Sequence, residues 1–181
     1  MKPLQRVLPW VVPEGWGYVT AGLAGLVLAV AFPNPEYAGV VEILIYYVLA
    51  SAFAFLIRRL WALPRVDTAM PAPVDVTVGP SKGPLTHWVL TAGGSLAFLI
   101  LVSSLGFDLD LDLSVSPPIA GLSLGFGFSY LSWGRNMARW ETEHGVEFLG
   151  PRGPSGNKWL SVRPRTAQPP TGSSLSPEGR S

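Results

Sequence analysis

Residues Gly39–Arg59 read GVVEILIYYVLASAFAFLIRR, an apolar run broken by one carboxylate, Glu42, and closed by two arginines. As a helix rising ~1.5 Å per residue, Gly39–Ile57 reaches about 28 Å, enough to cross a hydrocarbon core of ~30 Å. The paired arginines mark the end that stays on the cytoplasmic side, because positive residues are retained there. Three further stretches are apolar and charge-poor: Gly17–Phe32, Leu85–Phe107 and Pro118–Trp133. The first and last are short for a span and borrow flanking residues, Trp16 in one case and Gly134–Met137 in the other.

Composition agrees with this reading. The 181 residues are 48% hydrophobic and only 14% charged, whereas an ordinary soluble domain carries about a quarter charged residues. The charge map then sets the orientation. All 13 Lys and Arg residues fall before the first stretch, between the second and third, or after the fourth. The connections Pro33–Ala38 and Asp108–Pro117 hold none, and carry Glu36, Asp108, Asp110 and Asp112 instead. The fold class expected is an all-α membrane protein of four transmembrane helices, built as two helical hairpins with both termini cytoplasmic (N-in/C-in), in the cell membrane. Trp10, Trp16, Trp61, Trp88 and Trp133 fall near the cytoplasmic ends, where interfacial anchors belong. A cleaved secretory signal ending at Ala29-Val30-Ala31 is the rival for the first stretch. Its long leading segment, with Glu14, two tryptophans and three prolines, argues for retention.

Outside the spans, residues 1–16 hold Pro3, Pro9 and Pro13, which discourage a continuous helix, so an interfacial segment is expected there. The transmembrane unit is expected over 17–145, with spans at about 17–32, 39–57, 85–107 and 118–137. The last helix continues to about His144, carrying an Arg139–Glu143 pair and capped by Gly145. Residues 146–162 (VEFL and KWLSV around GPRGPSGN) predict a small cytoplasmic hairpin, and Val74–Val78 (VDVTV) a short strand. From Arg163 to Ser181 the Pro, Ser, Gly and Thr content predicts disorder.

Few residues invite chemistry. With no cysteine, disulfides, thiolate nucleophiles and Cys-type metal sites are excluded. Glu42 is the only carboxylate within an expected span, and Tyr46 lies one turn away; such a residue is a functional candidate by default. Asp108, Asp110 and Asp112 alternate with leucines, which as a strand puts three carboxylates on one side. The D-x-D-x-D order also opens a calcium loop, but Leu113 and Ile119 stand where that loop needs Gly and Glu, so no metal site is expected. His87 and His144 have no metal-like or triad-like neighbours in sequence, and GPRGPSGNK lacks the phosphate-loop order.

Small residues recur every four positions: Ala21, Gly25 and Ala29; Gly93 and Ala97; Gly121, Gly125 and Ser129. Aligned on one helix face, they let two helices approach closely in lipid. The expected function is therefore a non-enzymatic accessory or structural subunit, embedded in the lipid bilayer and packed against a membrane partner or its own copies. A small oligomeric transporter or channel is the alternative. Neither cofactor nor nucleic acid is expected.

Overall fold

The chain folds around its least hydrophobic long helix. In the computed structural model, which describes residues 4–32, 39–62, 66–72, 78, 83–105, 115–151 and 160–165, four helices form the body. They are α1 (Leu8–Ala31), α2 (Val40–Ile57), α3 (Pro84–Leu105) and α4 (Pro117–His144). Two terminal segments and one connecting segment supply a sheet: β1 (Leu4–Arg6), β2 (Met70–Pro71), β3 (Val146–Pro151) and β4 (Ser161–Pro164).

Backbone proximity at glycines fixes how the helices pack. A side chain placed on Gly22 would strike the Leu124 backbone, and one on Gly127 would strike the backbones of Gly15 and Val19, so α1 and α4 lie antiparallel and nearly touching. Gly121 faces the Tyr47 carbonyl and Gly125 the Ser51 carbonyl, which sets α2 parallel to α4. Gly17 lies against Thr91 and Ala92, which sets α3 parallel to α1. The helices therefore form a row, α3–α1–α4–α2, and α1 meets α2, like α3 meets α4, only slightly. One polar tie joins that last pair: the buried Ser103 hydroxyl accepts the Ser116 N–H at 3.0 Å, far from the sheet.

Three helices, α1, α2 with its continuation to Leu60, and α3, are long and apolar enough to cross a membrane. The fourth expected span does not reach that standard, for a physical reason. Gly121, Ser123, Gly125, Gly127, Ser129 and Gly134 are buried between α1 and α2, and an interior helix in close contact with two others needs small side chains more than apolar ones.

The segment before Gly17 is corrected most. Pro9 and Pro13 were expected to discourage a continuous helix, yet β1 is followed by a helix from Leu8 that runs through both. Pro9 lies in the first turn, whose N–H groups have no helical acceptor in any case. Pro13 forfeits one bond, and burial of Val7 and Val11 against α4 and the sheet offsets it. At the other ends the differences are small. The chain after Ile57 widens into a π-helical turn, Arg58–Ala62, and α3 is described to Leu105, with 106–114 outside the described residues.

The expected hairpin exists, as β3 paired antiparallel with β4, but it is the middle of a four-stranded sheet ordered β1-β3-β4-β2. β1 adds antiparallel to β3, and β2 parallel to β4. Of the run Val74–Val78, Val78 bridges Leu4 and the rest lies outside the described residues. The expected disordered tail also begins too early. Arg163 and Pro164 belong to β4, and the Arg165 N–H donates to the Gly145 carbonyl at 2.8 Å; residues 166–181 lie outside the described set.

The sheet is fastened to α4. Gly145 ends the helix in the left-handed conformation (φ 62°), turning the chain directly into β3. Glu141, only 3% exposed, accepts the Phe148 N–H at 2.8 Å and faces Arg165 at 3.5 Å. Trp133, expected as an interfacial anchor, is instead 4% exposed in a core of Val7, Val11, Tyr130, Met137, Phe148 and Leu160 that joins bundle to sheet. Arg139 and Glu143 pair as expected at 2.6 Å on the exposed face.

Two stability predictions follow from this packing. Gly125→Leu should cost about 1–3 kcal/mol or more by wedging α2 from α4, read as a lowered unfolding midpoint in detergent. Glu141→Ala leaves the buried Phe148 N–H without its acceptor and should cost about 1–3 kcal/mol. Its signature is faster amide exchange confined to β3 and β4, with the helices unaffected.

Candidate functional site

The residues singled out by sequence are scattered. Glu42 occupies the first turn of α2, where a carboxylate complements the helix dipole. It is half-buried, and both it and the exposed Tyr46 are engaged in contacts. The neighbouring Tyr47, 4% exposed, is the tyrosine that enters the core. Asp108, Asp110 and Asp112 lie outside the described residues. Among the small residues, Ala21, Gly25 and Ala29 are buried on α1, with Gly25 against Ala120 and Leu99. Gly121 and Gly125 face α2, and the fully buried Ser129 donates to the Phe126 carbonyl at 2.7 Å. Gly93 and Ala97 face outward from α3.

A different set of residues converges, one or two from each helix, at the sheet end of the bundle. Glu14 and Tyr18 lie one turn apart on α1, and Glu14 meets His87 in the first turn of α3, with Nδ1 of His87 3.4 Å from the Glu14 carboxylate. Tyr18 stacks on Tyr130 of α4, centroids 5.7 Å apart and planes within 4°, and meets Phe126 edge-on at 6.3 Å. Arg58, first residue of the π-helical turn after α2, lays its guanidinium 4.2 Å from the Tyr130 ring centre and 5.3 Å from that of Phe126. Its charge also acts on Glu14 and Tyr18. Next to it, Arg59 turns outward and donates to the Ser132 hydroxyl at 2.8 Å.

Local structure explains these positions. A π-helical turn shifts the register of the residues that follow it, and such turns recur at functional sites. Here it separates neighbours: Arg58 points into the bundle while Arg59 stays on the surface. Chemically the cluster offers one acid–imidazole pair able to exchange a proton and one cation held on aromatic faces. Among the described residues, no group of three His, Asp or Glu side chains comes together as a metal site would require.

Two grooves flank α4. One, of about 370 Å³, lies between α2 and α4 and is almost wholly apolar, lined by Ser51, Phe55, Leu124 and Phe128 among others. The other, of about 310 Å³, lies between α3 and α4 and ends at Tyr18 and Arg58. Sequence reading missed this second site because its residues come from four segments, with Glu14 assigned outside the first span and Arg58 counted as a flanking charge. The i,i+4 spacing of Glu14 and Tyr18 on a continuous helix was the available signal, obscured by Pro13.

The chain matches no family model, no curated protein and no solved structure.

A double-mutant cycle checks the centre of the cluster. Arg58→Gln and Tyr130→Leu should each destabilise, with a coupling of about 0.5–2 kcal/mol between them. Strict additivity in detergent unfolding would mean the guanidinium gains nothing from the ring.

Proposed function

We propose that the chain is a multi-pass integral membrane protein in which all four helices cross the bilayer, and that it serves as a non-enzymatic accessory or structural subunit which docks a membrane partner or a second copy on α3. The membrane reading is supported by three apolar helices and by a fourth whose polarity is hidden between its neighbours. It is supported too by the gathering of both terminal segments into one sheet at one end, as an even number of crossings requires. That end carries the arginines, so it faces the cytoplasm. A reporter inserted at Gly39 should be read on the non-cytoplasmic side, and one fused after Arg165 in the cytoplasm.

One observation carries the docking role. Glycine costs a helix about 1 kcal/mol relative to alanine, so helical glycines need a reason. Gly15, Gly17, Gly22, Gly25, Gly121, Gly125, Gly127 and Gly134 each have a neighbour that a side chain would crowd, whereas a Cβ added at Gly93 or Gly94 would meet nothing within 4 Å beyond its own helix. α3 is also the least enclosed of the three apolar helices, with 6% of its apolar stretch buried against 39% in α1. Adjacent to Ala97, Gly93 keeps the outer face of α3 flat enough for another helix to approach.

The discriminating variant is Gly93→Leu. It should leave the unfolding midpoint of the isolated chain unchanged or higher, because nothing in the fold is displaced. It should at the same time reduce assembly, read as the mass of the complex extracted in mild detergent. A wild-type chain that is extracted from its own membrane as a bare monomer would refute the docking role. The convergence of Glu14, Arg58 and His87 favours a second reading, a small oligomeric transporter or channel. That reading requires ion or solute flux in reconstituted vesicles that Arg58→Gln abolishes.

A further inference from the structure

The groove between α3 and α4 has a polar end, a polar step and an apolar run. At the sheet end stand Arg58 and Tyr18; Ser95 and Ser123 follow from the two walls; Phe98, Leu99 and Leu122 line the remainder. From Phe126 to Ile119 along α4 the groove extends about 10 Å. It stays open because α3 leans on α1 and scarcely reaches α4, and because Gly94 contributes no side chain to the wall. The Ser103–Ser116 bond closes it at the far end.

Arg58 is under-used by the protein itself. It makes two ring contacts and a side-chain hydrogen bond with Tyr130, yet among the described residues no carboxylate comes within ion-pairing distance of it. Its Nε is buried with no acceptor among them. Glu14, the nearest acid acting on it, is committed to His87. Arg58 lines the groove, and the ligand that matches a guanidinium there is a planar or tetrahedral oxyanion. Depth narrows the choice. Arg58 follows an 18-residue helix, about 27 Å from its far end, which in a membrane is the boundary between hydrocarbon and headgroups.

We propose that this groove binds one anionic phospholipid from the leaflet on the sheet side, with its phosphate on Arg58 and an acyl chain against Phe98, Leu99 and Leu122. The proposal rests on the membrane reading above. Cation, hydroxyl pair and apolar wall stand in the order of a phosphate, glycerol esters and an acyl chain. A soluble anion would match only the first of these. The volume of about 310 Å³ falls in the range of ordinary small-molecule sites and suits one lipid segment. The cytoplasmic leaflet is the anionic one, and clustered arginines concentrate such lipids near it.

The test uses the full chain purified in a neutral detergent, with bound lipid counted by native mass spectrometry. Phosphatidylglycerol and phosphatidylcholine of the same acyl length are offered at equal concentration. Wild type should retain one phosphatidylglycerol at least about tenfold more strongly than phosphatidylcholine, whose phosphate meets Arg58 too but brings a choline cation against its charge. Arg58→Gln should remove that preference, while Arg59→Gln, one residue away on the surface, should keep it. Gly94→Leu, at a position where an added Cβ meets no other part of the fold, fills the groove and should lower retention of both lipids, which covers the case of an Arg58 variant that fails to fold. Inorganic phosphate at millimolar concentration should not displace the lipid; displacement would mean a simple anion site and overturn the proposal. Equal retention of the two lipids by wild type would also overturn it, as would full retention by Gly94→Leu. A chain that is released from membranes by alkaline washing fails the membrane reading instead, so the two failures are distinguishable.

Discussion

Close backbone contact along α4 is the constraint on which the rest depends. At Gly121, Gly125 and Gly127 the chain gives up side chains so that α1 and α2 can press against the helix from either side. Helices that meet through such small residues draw on dispersion and on weak polar contacts between close backbones. Three consequences follow. α4 loses the hydropathy that marks a span; α1 and α2 can each be apolar on their outer faces; and the row of helices has α4 and α1 as its middle.

The sheet depends on the same helix. β3 starts one residue after α4 ends, and Glu141 ties the last turn to the strand it precedes. With β3 fixed, β1 and β4 have a template, and Glu147 on β3 draws Arg163 to 3.0 Å and Arg6 to 3.4 Å. These pairs are partly exposed and contribute little each. The larger contribution comes from the apolar joint of Val7, Val11, Trp133, Met137 and Phe148, which α4 and α1 share with the strands. Bundle and sheet are thus one unit, and the start of α1 is inside it.

Much of the helical architecture was legible in the sequence. Apolar length located α2 and α3 to within a few residues, and Gly145 located the end of α4. The small-residue spacing on α1 and α4 pointed to faces that do meet other helices. α4 was expected as a span, yet it is not among the three described helices apolar enough to cross a membrane, because its glycines and serines are buried against protein. Proline counting misjudged Leu8–Gly15, because tertiary burial outweighs one lost hydrogen bond. The candidate site was the least legible part. Glu14, Tyr18, Arg58, His87 and Tyr130 are separated by up to a hundred or so residues, and only the order of the helix row brings them together. Glu42 drew attention as a charge within a span, yet it stands at a helix N-terminus, where a carboxylate is least costly.

The weakest joint in this row is where the unexplained chemistry gathers. α4 is held on two sides by backbone approach, whereas α3 is seated mainly on α1, by the Gly17 contact, the Glu14–His87 pair and the packing of Leu99, with the Ser103–Ser116 bond tying it to the start of α4. Any molecule that touches α3 and Arg58 together favours the seated arrangement by an amount set by its affinity and concentration. A helix docked on the Gly93 face acts on the same equilibrium from outside. Occupancy of the groove and docking on α3 are therefore thermodynamically linked wherever seating changes the affinity for both, and the coupling is reciprocal.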